Sequence, residues 1–235
     1  METVAATGST NADLAARLAG GEYVAEGHWL VAERQTAGRG RLGRSWFDGG
    51  GNFMGSTLVR LRHGDPDPAS LALLAGLALH ELVSPLVPPP SRVSLKWPND
   101  LLVGPAKLAG ILLERVRDAV VVGIGVNLAQ APELQDRATV ALADLTAAPD
   151  REFFAAALAR QFDLELERWR SFGLAPVLAR WQAAAHPLGT ALRIDEPGQG
   201  TFVGTYAGLD EGGALRLRLA DGTTRVIHAG EVSLA

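Results

Sequence analysis

The chain has no cysteine and only two lysines among its 235 residues. Without cysteine there is no disulfide, no thiol nucleophile and no thiolate metal site, as expected in a reducing compartment. Aromatic residues make up only 6% of the chain. None of the five histidines falls in an HExxH or similarly spaced pair, which disfavours a zinc enzyme or a Ser–His hydrolase. No basic-then-apolar leader opens the sequence, and its most apolar run, Leu71 to Leu79, is too short to span a bilayer. The expectation is a cytoplasmic protein with no membrane partner. A formal charge of −4 argues against bulk attraction to DNA or anionic lipid.

What the chain does have is 47% apolar residues, enough for a substantial core in one large domain or two unequal ones. Nearly every cation is arginine, and the two lysines, Lys96 in "SLKWPND" and Lys107 in "AKLAGILLE", lie close together. A lysine kept where arginine serves elsewhere suggests a position that needs a compact ammonium on a slim stem.

Helix signals come first: "STNADLAARLAGG" offers Ser9, Thr10 or Asn11 as an N-cap, with Leu14 and Leu18 one turn apart and Gly20-Gly21 as the stop. "HWLVAERQ" and "NFMGSTLVRL" read as strands on either side of "QTAGRGRLGRSWFDGGGN", followed by a helix from Ala69 to Val83. "RVSLKWPNDLLV", "AGILLERV" and "AVVVGIGVNL" read as three further buried strands. Phe154, Leu158, Phe162 and Leu166 form a helical core stripe. From about His186 the texture changes to short alternating segments divided by "DEPGQG", "LDEGG" and "ADG" turns, the pattern of a small all-β module.

The glycine- and arginine-rich loop is an anion clamp in composition: glycine lets backbone amides approach a ligand, and Arg39, Arg41 and Arg44 add planar donors for phosphate or carboxylate. It is not a Walker A loop, and the GxG of "VVGIGVNL" lacks the third glycine and following helix of a dinucleotide fold. Ser9, Thr10, Asn11, Gln35 and Asn99 stand at the ends of apolar segments, where they can converge on a polar ligand or serve as ordinary caps and turns. Trp46 and Trp97 are suited to stacking on a base or to packing in a core.

The ordered set "STN", "QTAGRGRLGRSWF", "SLKWPNDLLV", "KLAGILLE", "VVGIGVNL" and "GEVSL" resembles the biotin-protein ligases over essentially the whole chain. The resemblance implies an α+β catalytic domain similar to class II aminoacyl-tRNA synthetases over residues 1–185, and a small SH3-like β-barrel over 186–235. With eight residues ahead of Ser9, it is to the short type without an N-terminal DNA-binding domain, so no DNA partner is expected. The implied reaction makes biotinyl-5′-AMP from biotin and ATP with Mg²⁺, then passes biotin to a lysine of biotin carboxyl carrier protein. By motif position, Ser9, Thr10, Asn11, Gln35, Arg39, Gly40, Arg41, Lys107, Gly110, Gly123 and Gly125 would bind biotin. Arg41, Arg44, Trp46, Lys96, Asn99, Lys107 and Asn127 would bind ATP or the adenylate, Asp100 would neighbour the metal, and Lys107 and Arg41 would carry the chemistry. A lipoate or octanoate ligase of the same superfold, and more distantly a non-catalytic RNA-binding module, are the alternatives. The sequence leaves open whether the chain is a monomer or a homodimer.

Overall fold

A computed structural model describes residues 1–234 and contains two sheets. The larger has seven strands: β1 (Glu2–Val4), β2 (Trp29–Ala32), β3 (Phe53–Arg60), β4 (Val93–Lys96), β5 (Asp100–Val103), β6 (Ala106–Val116) and β7 (Ala119–Val126), in the order β1-β2-β3-β7-β6-β5-β4. All neighbours are antiparallel except β1 and β2. The smaller is antiparallel throughout and comprises β8 (Ala191–Glu196), β9 (Gly200–Leu209), β10 (Leu215–Arg218), β11 (Thr224–Ile227) and β12 (Glu231–Leu234). This is the expected α+β architecture with a small β module at its end.

Strand β7 shows how the sheet makes room for a site. Residues two apart share a face, and Val120, Val122, Ile124 and Val126 pack with α2 (Leu71–Val83), α3 (Arg151–Phe172) and α4 (Ala175–Ala184) in the main core. On the other face Val121 packs with Leu14 and Leu18 of α1 (Thr10–Ala19). The next two residues on that face are Gly123 and Gly125. There the side-chain layer vanishes and a cavity begins.

Three readings of the sequence change on folding. "RVSLKWPNDLLV" is not one strand but a hairpin: β4 and β5 pair with Lys96 opposite Asp100. Pro98 has no amide to give a ladder and Asn99 favours turns, so the run breaks between two apolar halves. The apolar segment around Leu71 is not excluded from a membrane by length, because with its flanking turns it extends over Pro68–Leu86, long and apolar enough to cross one. Nine residues of α2 are buried, which makes it a core helix by packing. The stretch after the "ADG" turn, one segment by its alternation, forms two strands, β11 and β12.

The two sheets share one apolar core, in which Leu192, Ile194 and Tyr206 join Leu73 and Trp181. Trp97 Nε1 donates to Gly213 O at 3.0 Å, and Leu209 N donates to Gln182 Oε1 at 2.9 Å. Strand β12 is thereby held against the turn that carries Lys96 and Asn99, at the mouth of the cavity.

Candidate active site

A cavity of about 530 Å³ opens on the α1 side of the large sheet, and every residue singled out from the sequence lines it. At its closed end Ser9 caps α1, accepting from Ala12 N at 3.4 Å, which points the start of the helix into the cavity. Thr10 N and Thr10 Oγ1 both donate to Gln35 Oε1, at 2.8 and 3.1 Å. Asn11 Nδ2 donates to Glu114 Oε2 at 2.7 Å, and Ser56 Oγ donates to Asn11 Oδ1 at 2.7 Å while lying 2.7 Å from Thr10 Oγ1. Ser9, Thr10, Asn11, Gln35 and Ser56 are all buried. Glycine at 123 is required here, since a Cβ would overlap the Asn11 side chain.

Lys107 occupies the middle. A bulge leaves Leu108 unmatched where β5 meets β6, because Leu101 faces Ala109 while Leu102 faces Lys107. The extra residue resets the alternation, so the Lys107 ammonium lies beside Gly110, three residues on. Its Nζ is 2.6 Å from Asp100 Oδ1 and 5.7 Å from the centre of the Trp46 ring. Trp46 covers Gly110 and Gly125, and its Nε1 is buried without a partner. Asn127 Nδ2 donates to Val140 O at 3.3 Å, while its Oδ1 is a second buried atom left unpaired. Buried polar atoms without partners are uncommon, and in a cavity they mark where a ligand would bond.

The mouth is charged. Arg41 Nη1 donates to Asn99 Oδ1 at 3.1 Å and Nη2 to Gly230 O at 3.4 Å, and Asn99 Nδ2 in turn donates to Ile111 O at 2.7 Å. Arg44 makes a bidentate ion pair with Glu231, and Lys96 Nζ donates to Val232 O at 3.1 Å. Strand β12 and Gly230 just ahead of it therefore touch three of these cations. Arg39 is exposed, tied only through the backbone bridge between residues 39 and 45, and Gly40 N donates to Arg44 O at 2.7 Å. Leu42, at the exposed tip of this loop, takes a left-handed conformation (φ 56°) that costs a leucine about 1 kcal/mol.

Burial would raise the Asp100 carboxyl, but the Lys107 and Lys96 ammoniums outweigh it and hold the group below its usual range. The Arg44 hydrogen bonds keep Glu231 below its own. Burial draws the Arg41 guanidinium down, against the pull of Asp100 and Glu231. Six cationic side chains and three carboxylates line the cavity, an excess of three positive charges in a chain whose formal charge is −4.

Several lining residues carried no distinct signal in the sequence: Ser56 is one small polar residue in an apolar strand, and Asp136 and Arg137 lie in an unpatterned loop. Glu231 was within reach, as the one carboxylate of the "GEVSL" segment.

Residues 17–128 match the Biotin/lipoate A/B protein ligase family, and residues 189–235 the Biotin protein ligase C terminal domain, which sets the class. The chain is 42% identical to the biotin--[acetyl-CoA-carboxylase] ligase of Mycobacterium tuberculosis, over 99% of this chain and 88% of that one. It is 39% identical to the enzyme of the same name from Paracoccus denitrificans, covering 97% and 98%. Among solved structures, the biotin protein ligase of Aquifex aeolicus in complex with biotin and ATP superposes with a TM-score of 0.85 at 28% identity, covering 99% and 97%. The chain belongs to the biotin protein ligase family.

Proposed function

We propose that this cavity binds biotin with its ring system at the closed end and its carboxylate at Lys107, that MgATP enters from the charged side, and that the reaction runs through biotinyl-5′-AMP to a lysine of a carboxylase carrier domain. The observation that carries this reading is the placement of Lys107 between a neutral hydrogen-bonding pocket and a cationic mouth. A ureido ring presents N–H donors and a carbonyl acceptor, which the uncharged Thr10, Asn11, Gln35 and Ser56 side chains can answer. The dithiolane of lipoate has no such groups and would gain no hydrogen bonds from this polar pocket, which disfavours the lipoate reading.

The carboxylate and the α-phosphate repel one another as the anhydride bond forms. An ammonium already in place offsets that charge without reorganising. Arg41 and Arg44 supply planar donors to the phosphates, with Arg39 closing over the ligand from the exposed loop. Gly110, Gly123 and Gly125 let the ligand approach the strand backbone. In the second half-reaction the acceptor amine attacks the carbonyl carbon, AMP leaves, and the amine proton passes to solvent.

Magnesium is the metal that this chemistry implies. Among the described residues no three His, Asp or Glu side chains gather, and Asp100 is held between Lys96, at 3.3 Å, and Lys107. That donor set does not fit a resident ion. Magnesium belongs to the substrate MgATP, since the ion keeps waters and borrows phosphate oxygens.

We divide the chain at 185/186 into a catalytic and a C-terminal unit, and place the reaction in the cytoplasm, where ATP and carboxylases are at hand. Incorporation of biotin into a purified carrier domain, dependent on ATP, is the test. Labelling with lipoate but not biotin, or none with either, overturns the proposal.

A further inference from the structure

We propose that Arg137 is a phosphate-binding residue of this site: it receives the β- and γ-phosphates that leave as pyrophosphate, and Asp136 and, at longer range, Glu231 hold it in their absence. The inference rests on the reading that the cavity takes biotin and MgATP. No motif led to Arg137. It stands out only once the loop between β7 and α3 is folded.

Three observations carry it. The first is placement. Lys107 N donates to Ala138 O at 2.9 Å and Val140 N to Lys107 O at 3.1 Å, so the segment just after Arg137 is registered on the lysine at the centre of the site. The second is direction. Displacement at phosphorus puts the leaving group roughly in line with, and opposite to, the attacking oxygen. With biotin attacking from the closed end, pyrophosphate departs toward the mouth, and Arg137 lines the cavity there.

The third is the quality of its present partners. The Arg137 guanidinium lies 2.5 Å from its exposed neighbour Asp136 and 3.5 Å from Glu231. Glu231 already pairs with both ends of Arg44. One carboxylate thus serves two guanidiniums, and Arg137 has planar donors to spare for a phosphate that would accept them in a bidentate fork. An incoming triphosphate replaces Glu231 as the partner of Arg44, and Asp136 and Glu231 as the partners of Arg137.

The test separates the half-reactions. Biotin-dependent ATP–pyrophosphate exchange reports adenylation, and transfer from synthetic biotinyl-5′-AMP to a carrier domain reports the second step, which involves no β- or γ-phosphate. Arg137→Ala should lower kcat/KM for ATP in exchange about ten- to a hundredfold, the loss of one or two charge-assisted bonds. Transfer from synthetic adenylate should stay within about twofold of wild type, the size of effect expected where no bond to the ligand is lost. Arg137→Lys should recover part of the exchange rate, because charge remains and the fork does not. Exchange within about twofold of wild type in Arg137→Ala, or an equal loss in both half-reactions, would overturn the proposal; the latter marks a disturbed loop. A wild-type chain that shows no biotin-dependent exchange would instead overturn the ligase reading itself.

Discussion

The two ends of the cavity are built on opposite principles. At the closed end five buried, neutral side chains and the backbone of α1 bond to one another in a network with little freedom. At the mouth, Arg44 is exposed, Arg41 is half-buried, and they are tied by an ion pair to Glu231 of β12 and a long bond to Gly230 just ahead of it. Surface ion pairs contribute little stability, about 0–1 kcal/mol each, so they exchange partners readily. On the function proposed above, the neutral end is the part that selects the acid, and the charged end is the part that exchanges its partners for a nucleotide.

This contrast is sharpest at Lys107, where the two ends meet. Lys107→Ala should leave the fold intact, because the side chain touches cavity atoms and one carboxylate rather than the apolar core. Adenylation should fall about a hundredfold or more, corresponding to roughly 3 kcal/mol of lost charge stabilisation. Pyrophosphate release measured with saturating biotin checks it. A folded variant that releases pyrophosphate at the wild-type rate would show that the junction does no chemistry.

Arg41→Gly tests retention at the charged end. Its guanidinium bridges Asn99 and the backbone of Gly230, closing the catalytic sheet onto the small one. Losing bonds of about 1.5–3 kcal/mol should raise escape of the adenylate ten- to a hundredfold. Free biotinyl-5′-AMP acylates exposed amines, so the variant should label an added lysine-rich protein in proportion to its concentration, while the wild type labels only the carrier. Self-labelling is a poor readout, since Lys96, Lys107 and the terminal amine are the only amines in this chain. If labelling stays confined to the carrier, the mouth does not hold the intermediate.

The sequence disclosed the two ends unequally. Ser9, Thr10, Asn11 and Lys107 were legible because each stands at a junction with its own signal: a helix cap, or a lysine among arginines. The glycines of β7 were named only through the family resemblance, and the reason for Gly123 was hidden, since it depends on Asn11 arriving from another element 112 residues away. Ser56 escaped for the same reason: its burial against α1 is set by the register of β3 on β7, which pairs it with Gly123. Arg137 and Glu231 were obscured by being ordinary charged residues in ordinary positions. Their meaning comes from the docking of β12 at the cavity mouth, a tertiary fact that no local pattern carries.

Ser56→Ala asks whether the closed end is as interlocked as its bonds suggest. The hydroxyl joins Thr10 to Asn11, and its loss leaves a buried amide oxygen short of a donor, at a cost of about 1–3 kcal/mol. Biotin affinity should fall roughly five- to a hundredfold by calorimetry, the binding equivalent of that cost. Affinity for ATP alone should be unchanged. Equal losses for both ligands would mean that the two ends are not separable.

The smallest effect is the response of stability to acid, which can be read at Glu231, the carboxylate that pairs with Arg44 at the mouth. Glu231 has its carboxyl lowered chiefly by the Arg44 hydrogen bonds. A carboxylate with a folded value below its unfolded value of 4.5 contributes stability that is fully present above that value. The contribution is lost as pH falls through 4.5 toward the folded value, where both states bind the proton. Glu2, lowered to about 2 by its bond from Arg17, and Glu26 act in the same sense elsewhere in the chain, so the wild-type melting temperature should drop between pH 6 and pH 3.5 for several reasons at once. Replacing Glu231 by glutamine removes one of them. Glu231→Gln should start lower at pH 6 and lose less on acidification, the difference amounting to about 2–4 °C for each kcal/mol in a chain of this size. Ser56→Ala should run parallel to wild type across the same range, lower but with the same slope. If Glu231→Gln also runs parallel, the Arg44–Glu231 pair contributes nothing to the folded state, and the mouth is held shut by the Arg41 and Lys96 bonds to the backbone of Gly230 and Val232 alone.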